Sequence, residues 1–307
     1  MTDWRDTNAT ATATAPAPAA AEEPAARPSS GPPVWLITGC SSGFGRAVAE
    51  AAIAAGHRVV ATARDVASLE ELAPNDPEAL VRWRLDLQDP ASIERTVGEA
   101  VTRFGRIDVL FNNAGIATLG AIEELTDELL RRQMEINFFG TMQVARAVLP
   151  AMRVNGGGHI IQMSSMGGRC AFPGLGAYHA SKWALEGASV AMAGEVAPFG
   201  IDVTLVEPGD FRTPVLSPGR MPAAEAMPEY ADTVGQARAG IAQLDGSQPG
   251  DPARLAQAVL AVAEEEHPPL HLALGSDCYA RLREELEGQL AELEQWSHLT
   301  LSTDFPS

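Results

Sequence analysis

The chain has 307 residues, with 22 Lys and Arg against 40 Asp and Glu for a net charge of −18, and 46% of its residues are hydrophobic. That acidity argues against a nucleic-acid binder or an anionic-membrane binder, since residues 251–296 alone carry ten acids against three bases and a polyanion is gripped by clustered Lys and Arg. Length predicts one large domain or two small ones, and no stretch approaches the roughly 18 consecutive apolar residues of a membrane span.

Residues 1–33 draw 21 positions from Ala, Thr and Pro and hold no large apolar side chain after Trp4. Such a segment cannot bury enough surface to offset its ordering entropy, so a disordered arm ending at Pro32-Pro33 is expected. Its early acids and missing apolar run predict no secretory signal. From Val34 onward, short runs rich in Val, Ile and Leu alternate with helix-length amphipathic segments, the rhythm of a parallel sheet with crossover helices. The runs are Val34–Thr38, Arg58–Thr62, Leu80–Leu85, Ile107–Phe111, His159–Met163, Ile201–Val206 and Leu270–Leu274. Most are continuously apolar, as strands covered on both faces should be, and together they predict a seven-stranded α/β fold. Asp89-Pro90 and Asp251-Pro252 each set an N-cap acid before a proline at the first helical position.

The first strand runs into Thr38-Gly39-Cys40-Ser41-Ser42-Gly43-Phe44-Gly45 and then a helix, Arg46 to Ala55. Glycines there let the backbone turn tightly and approach a pyrophosphate at a helix N-terminus. The second strand ends in Arg64, where a dinucleotide fold would carry an acid for the ribose hydroxyls. A guanidinium at that point pairs with a 2′-phosphate; the bland alternative is a solvated arginine before the cap Asp65. Asp86, ending the third strand, is placed to meet the adenine.

Asn112-Asn113-Ala114-Gly115 follows the fourth strand, Asn137 lies in a helical pattern from about 127 to 152, and Ser164-Ser165 follows the fifth. Tyr178 and Lys182 are four apart, hence on one helical face. A phenol titrates near 10, so work as an acid or base close to neutrality calls for a neighbouring cation, and Lys182 is placed to be one. Residues 213–250, with five prolines, five glycines and two methionines, are too long for an ordinary connection and are read as a lid or binding loop. Past the last strand, Tyr279, Leu282, Leu286, Leu290, Leu293 and Trp296 form one apolar helical stripe, to pack on its own domain or on another subunit. Cys40, Cys170 and Cys278 lack C-x-x-C spacing and fit a reducing, cytoplasmic setting; His57 and His179 lack spaced partners, so no metal is expected. Cys170, Phe172, Pro173 and Leu175 either line a pocket or pack a loop.

Taken in order, T-G-x-x-x-G-x-G at Thr38–Gly45, N-N-A-G at Asn112–Gly115, the helical Asn137, Ser165 thirteen before Tyr178, Y-x-x-x-K, and Pro208-Gly209 with Thr213 resemble the short-chain dehydrogenase/reductase family over 34–275. Thr-Gly-Cys-Ser-Ser-Gly, Ala-Arg-Asp at 63–65, Ser165-Met-Gly-Gly and residues 178–187 look most like its hydroxysteroid and retinol dehydrogenase branch. The resemblance implies a Rossmann-type doubly wound single domain, followed by an extra C-terminal helix and tail at 276–307. It also implies NADP(H), or NAD(H), held by Gly39, Ser41, Ser42, Gly43, Phe44, Gly45, Arg64, Asp86, Asn113, Ala114, Gly115, Tyr178, Lys182, Pro208, Gly209 and Thr213, with Arg64 favouring NADP(H). Tyr178 would move the hydroxyl proton, Lys182 lower its pKa and hold the ribose, Ser165 bond the substrate oxygen and Asn137 seat a relay water. The expected substrate is a bulky apolar ketone or its alcohol, and the expected assembly a homodimer or homotetramer. A redox-neutral epimerase, isomerase or cyclase, or a nucleotide-sensing module, are the other classes; the intact Tyr178 and Lys182 count against the last.

Overall fold

Strands with long aliphatic side chains on both faces need helices above and below, and the chain supplies them. The computed structural model describes residues 31–74, 76–217 and 219–305, so nearly all of the expected disordered arm lies outside the described residues. Among these, β1 (Val34–Ile37), β2 (Arg58–Ala63), β3 (Leu80–Arg84), β4 (Val109–Asn112), β5 (Gly158–Met163), β6 (Ile201–Pro208) and β7 (His271–Leu274) form one sheet. Its order is β3-β2-β1-β4-β5-β6-β7, and every neighbouring pair is parallel. Trp35 of β1 stands opposite Val59 on one side and Val109 on the other.

Alternation along β1 builds two cores. Trp35 and Ile37 pack with Val48 and Ala52 of α1 (Gly43–Ala54) and with Leu255 and Val259 of a later helix, Pro252–Glu264. Leu36 faces the other way, onto Ile93 and Val97 of α2 (Pro90–Phe104) and Val144 and Val148 of a helix over Thr141–Val154. The Asp89 carboxylate accepts from the Ala91 and Ser92 amides and starts α2, as its position before Pro90 predicts. Strand order reverses between β1 and β4, the point at which an open parallel sheet offers a crevice at its carboxyl edge.

The helical pattern around Asn137 is not continuous. α3 (Asp127–Met134) widens into a π segment, Glu135–Gly140, before α4 (Thr141–Val154) resumes. α5 (Gly176–Val196) then carries Tyr178 and Lys182. The 213–250 region is less irregular than its composition implies: between its prolines and glycines, Gln236–Leu244 forms α6, and α7 (Pro252–Glu264) follows. The C-terminal stripe is packed on its own domain over only part of its length. On α8 (Ser276–Gln295), Cys278 and Leu282 pack with Cys170, whereas Leu286, Leu290 and Leu293 are exposed. The short α9 (Ser297–Leu301) follows and buries no residue. No helix among the described residues is long and apolar enough to cross a membrane.

The 213–250 region is latched to the strand edge. Leu119 exchanges backbone hydrogen bonds with Pro222 and Ala224, while the Gly120 amide donates to Gly174 just before α5. Beneath them, the Glu124 carboxylate accepts from the Met227 amide at 2.8 Å, the Ala121 amide at 2.7 Å and the Arg238 guanidinium at 2.7 Å. These donors hold its pKa down to about 2, so the latch stays charged at any ordinary pH. Arg238→Ala is therefore expected to accelerate amide hydrogen exchange roughly tenfold in residues 219–244 while leaving β1 to β6 as protected as before. Equal exchange in the two proteins, measured by mass spectrometry, would show that the latch does not hold the segment.

Candidate active site

At the reversal point the turn after β1 is shaped by what its glycines permit. Gly39 and Gly43 have φ of +75° and +60°, and a Cβ at Gly45 would stand 2.4 Å from the Gly39 carbonyl oxygen. The turn is clasped to the one after β4. Thr38 Oγ1 accepts from the Asn113 amide at 2.8 Å and the Ala114 amide at 2.9 Å, and Asn113 Nδ2 donates to the Thr38 carbonyl at 2.9 Å. Ser42 begins α1 without a side-chain cap hydrogen bond, which leaves the first-turn amides of the helix without a capping side chain. Phe44 meets Phe211 edge to face at 5.4 Å, and Thr213 is buried beside Gly43, which brings the loop after β6 onto the turn. Cys40 is fully buried with its thiol pushed up to about 12, a small filler and not a nucleophile. This cradle fits a dinucleotide pyrophosphate: close backbone, a helix start without a side-chain cap and no room for a Cβ at Gly45.

Arg64 follows β2, which the Cys40 amide joins at Thr62 through a 2.8 Å hydrogen bond. The guanidinium is exposed and makes no hydrogen bond or ion pair with any described residue. Asp65 caps the next turn, accepting from the Ala67 amide at 3.1 Å. Asp86 is turned to its own loop, accepting from the Gln88 amide at 3.1 Å and pairing with Arg84 at 3.4 Å.

Tyr178, Lys182 and Glu186 lie on one face of α5, four residues apart. Burial raises the Tyr178 phenol above its ordinary value, and the Ser165 hydroxyl, hydrogen-bonded to it, offsets part of that. The expected lowering by Lys182 is not realised. The lysine Nζ donates to the Met163 carbonyl at 2.6 Å and stands 5.8 Å from the Tyr178 ring centroid, and burial lowers its own pKa to about 8. Asn137 accepts from the Ile116 amide at 2.9 Å through Oδ1 and donates through Nδ2 to the Ile116 carbonyl and to Ser181 on α5. A Cβ on Gly115 would lie 3.2 Å from Asn137 Oδ1. Asn113, Gly115, Asn137, Ser165, Tyr178 and Lys182 thus border one edge of the sheet, while Arg64 and Asp86 stand at the far strands. Pro208 ends β6 and Gly209 follows it, its amide donating to the Leu274 carbonyl.

His179 is structural, as expected: Nε2 accepts from the Phe172 amide at 3.0 Å and Nδ1 pairs with the Gly167 carbonyl at 2.9 Å, which fixes the loop beside Tyr178. Cys170 and Phe172 pack toward Cys278 and Leu282 of α8, which favours loop packing over pocket lining. A surface cleft of about 720 Å³ opens among Phe211, Arg212, Gly250, Asp251 and Arg254; Ser165, Tyr178 and Lys182 do not line it. Sequence reading missed the acids behind the site. Glu186, Glu207 and His271 bring one ligand atom each within 4.8 Å of one another, but Arg169 Nη1 already lies 3.1 Å from both Glu207 Oε1 and His271 Nδ1, supplying the positive charge there. Their strand and helix positions gave no spacing signal.

The short chain dehydrogenase family profile matches residues 33–221. The chain belongs to that family. Membership makes it an NAD(P)-dependent dehydrogenase or reductase. It is 39% identical over 271 residues to an oxidoreductase, BOA17, of Botryotinia fuckeliana, covering 88% of this chain and 98% of that one. It is 37% identical over 246 residues to a 3-ketodihydrosphingosine reductase of Bacteroides thetaiotaomicron, covering 80% and 88%. A short-chain dehydrogenase from Streptomyces avermitilis has a TM-score of 0.84 at 45% identity, covering 90% of this chain and all of that one. Two further structures carry nucleotides. An alcohol dehydrogenase from Thermococcus sibiricus with 5-hydroxy-NADP has 25% identity, TM-score 0.65 and coverage of 79% and 95%. A 3-ketoacyl-(acyl-carrier-protein) reductase from Brucella melitensis with NADH has 26% identity, TM-score 0.66 and coverage of 79% and 96%. In this short-chain dehydrogenase, Gly45→Ala should weaken nucleotide binding by roughly tenfold or more, because the added Cβ meets a backbone oxygen that cannot rotate away. Fluorescence titration alongside circular dichroism checks this; unaltered affinity would mean that the nucleotide does not rest on the turn.

Proposed function

We propose that the protein is an NADP(H)-dependent oxidoreductase that interconverts a bulky apolar ketone and its secondary alcohol, with Tyr178 as the acid and base. The convergence of Ser165, Tyr178 and Lys182 beside the glycine turn carries the reading. The nicotinamide, when bound, supplies or accepts the hydride. Gly39, Gly43, Gly45 and the first amides of α1 would hold its pyrophosphate, and Arg64 a 2′-phosphate. Ser165 orients the substrate oxygen toward the phenol, and Tyr178 gives that oxygen a proton in the reductive direction. A phenol held above its ordinary value stays protonated at neutral pH, which favours reduction there. Oxidation needs the phenolate, so its rate should climb as the pH rises into the alkaline range. Lys182 keeps a positive charge close to the ring and to the ribose.

Several features of the substrate loop support an apolar substrate. Leu216, Met221, Met227 and Tyr230 are partly buried in the segment latched beside α5, whereas Val215 of the same loop is exposed, and methionine adapts its shape to large apolar ligands. Arg238, one of the two bases in 213–250, is committed to Glu124, and Arg212 just before that region donates to the Gln248 carbonyl at 3.1 Å. The similarity to a reductase named for a ketone substrate points the same way.

Tyr178→Phe should lower turnover by about 10²–10⁴-fold while nucleotide affinity stays nearly intact. A wild-type kcat in that variant would remove Tyr178 from the reaction. For the cofactor, Arg64→Ala should weaken NADPH by roughly 10–150-fold, the value of one charge-assisted contact, and leave NADH almost unaffected. Equal losses for the two nucleotides in a binding titration would show that Arg64 does not read the 2′-phosphate.

A further inference from the structure

Behind Lys182 lies a carboxylate that the proposed reaction does not use. Glu186 is 6% exposed and sits one turn beyond the lysine on α5. Its Oε1 accepts a hydrogen bond from the Ser164 hydroxyl, while its Oε2 is buried without a hydrogen-bond partner and lies 3.5 Å from His271 Nδ1. The neighbouring loop is shaped around this group, since a Cβ on Gly168 would stand 2.6 Å from Ser164 Oγ and 2.9 Å from Glu186 Oε1. Charged and titratable groups face it from every side. Lys182 comes from its own helix, Ser164 from the end of β5, Arg169 from the turn that follows, Glu207 from β6 and His271 from β7. On α8, Cys278 donates to the Glu207 carbonyl and Asp277 accepts from the Asp210 amide. A buried carboxylate with one bare oxygen is destabilising where an aliphatic side chain would not be.

We infer that Glu186 is a positioning residue whose carboxylate keeps the buried Lys182 ammonium charged, with the partly exposed His271 ring as its contact with solvent. The inference rests on the proposed roles of Tyr178 and Lys182. Burial lowers Lys182 to about 8, and Glu186 is the group that opposes this fall. Burial likewise raises Glu186 to about 7, so it becomes a carboxylate in the range where Lys182 begins to lose its proton. The two ionisations support each other.

The test compares wild type, Glu186→Gln, Ser164→Ala and the double variant in ketone reduction between about pH 6 and 9. Glu186→Gln should move the alkaline limb of kcat/KM down by at least about half a pH unit, so the ratio of wild type to variant grows with pH. Ser164→Ala, which removes the one donor to Oε1, should move it the same way by less, and the double variant should match Glu186→Gln. A merely structural role lowers activity by one factor at every pH, and such parallel profiles would overturn the inference. Amine labelling of Lys182 across the same range, read by mass spectrometry, reports the neutral amine without turnover. An unchanged labelling midpoint in Glu186→Gln, or in Ser164→Ala should the former not fold, also overturns it. Full activity in Tyr178→Phe would instead overturn the catalytic reading and leave the labelling result to decide the charge coupling.

Discussion

Thr38 Oγ1 accepts from the amides of Asn113 and Ala114, while the Asn113 side chain donates back to the Thr38 and Gly39 carbonyls, so the turns after β1 and β4 are clasped where the strand order reverses. Each bond contributes only about 1 kcal/mol net, but a buried backbone group left unpaired costs about 1–3 kcal/mol, so the set behaves as one unit. The rest of the edge follows from that clasp. Gly45 must lack a side chain because the Gly39 carbonyl and Asn113 Nδ2 occupy its space. Gly115, at the end of the same β4 turn, lies against Asn137, whose amide reaches Ser181 on α5. The helix that carries Tyr178 and Lys182 is thereby registered against the glycine turn.

Burial acts on the ionisable groups of α5 in one direction, toward their neutral forms: the Tyr178 phenol and the Glu186 carboxyl rise, and the Lys182 ammonium falls. Glu124 shows how a similarly enclosed carboxylate behaves when its donors are complete. Two amides and a guanidinium take it down to about 2, whereas Glu186, with one hydroxyl donor and one bare oxygen, goes up to about 7. Complete donors on Glu124, against burial with a single hydroxyl donor on Glu186, separate a fixed latch from a group that titrates near neutrality. The latch holds the segment over the edge, and the titrating acid stands behind the lysine.

The strands were legible because a sheet covered on both faces demands continuous aliphatic runs, and those at Arg58 and Ile201 begin where the apolar pattern begins. The glycine turn and the Tyr178–Lys182 spacing were legible because their geometry admits few residue types. Other features left no such trace. Glu135-Ile-Asn-Phe-Phe-Gly reads as ordinary helix, and nothing in its residue types marks the π widening that carries Asn137. A glutamate on a helix is solvent-facing by default, so Glu186 showed nothing of its burial until Ser164, Glu207 and His271 were brought around it by three different strands. The stripe on α8 has helical spacing throughout, yet the body of the protein reaches only as far as Leu282, and spacing cannot tell where a neighbour ends.

The proposed function reduces to one bond formed on one carbon. NADPH carrying deuterium at C4 of its nicotinamide, incubated with the protein and a bulky apolar ketone, should deliver the label to the carbinol carbon of the product alcohol, and mass spectrometry of that alcohol locates it. Stoichiometric transfer from one face of the ring is the result expected of a nucleotide seated on the glycine turn with Tyr178 protonating the oxygen. Ketone conversion without label at the carbinol carbon, or nucleotide binding with no alcohol formed from any apolar ketone, would contradict a ketoreductase.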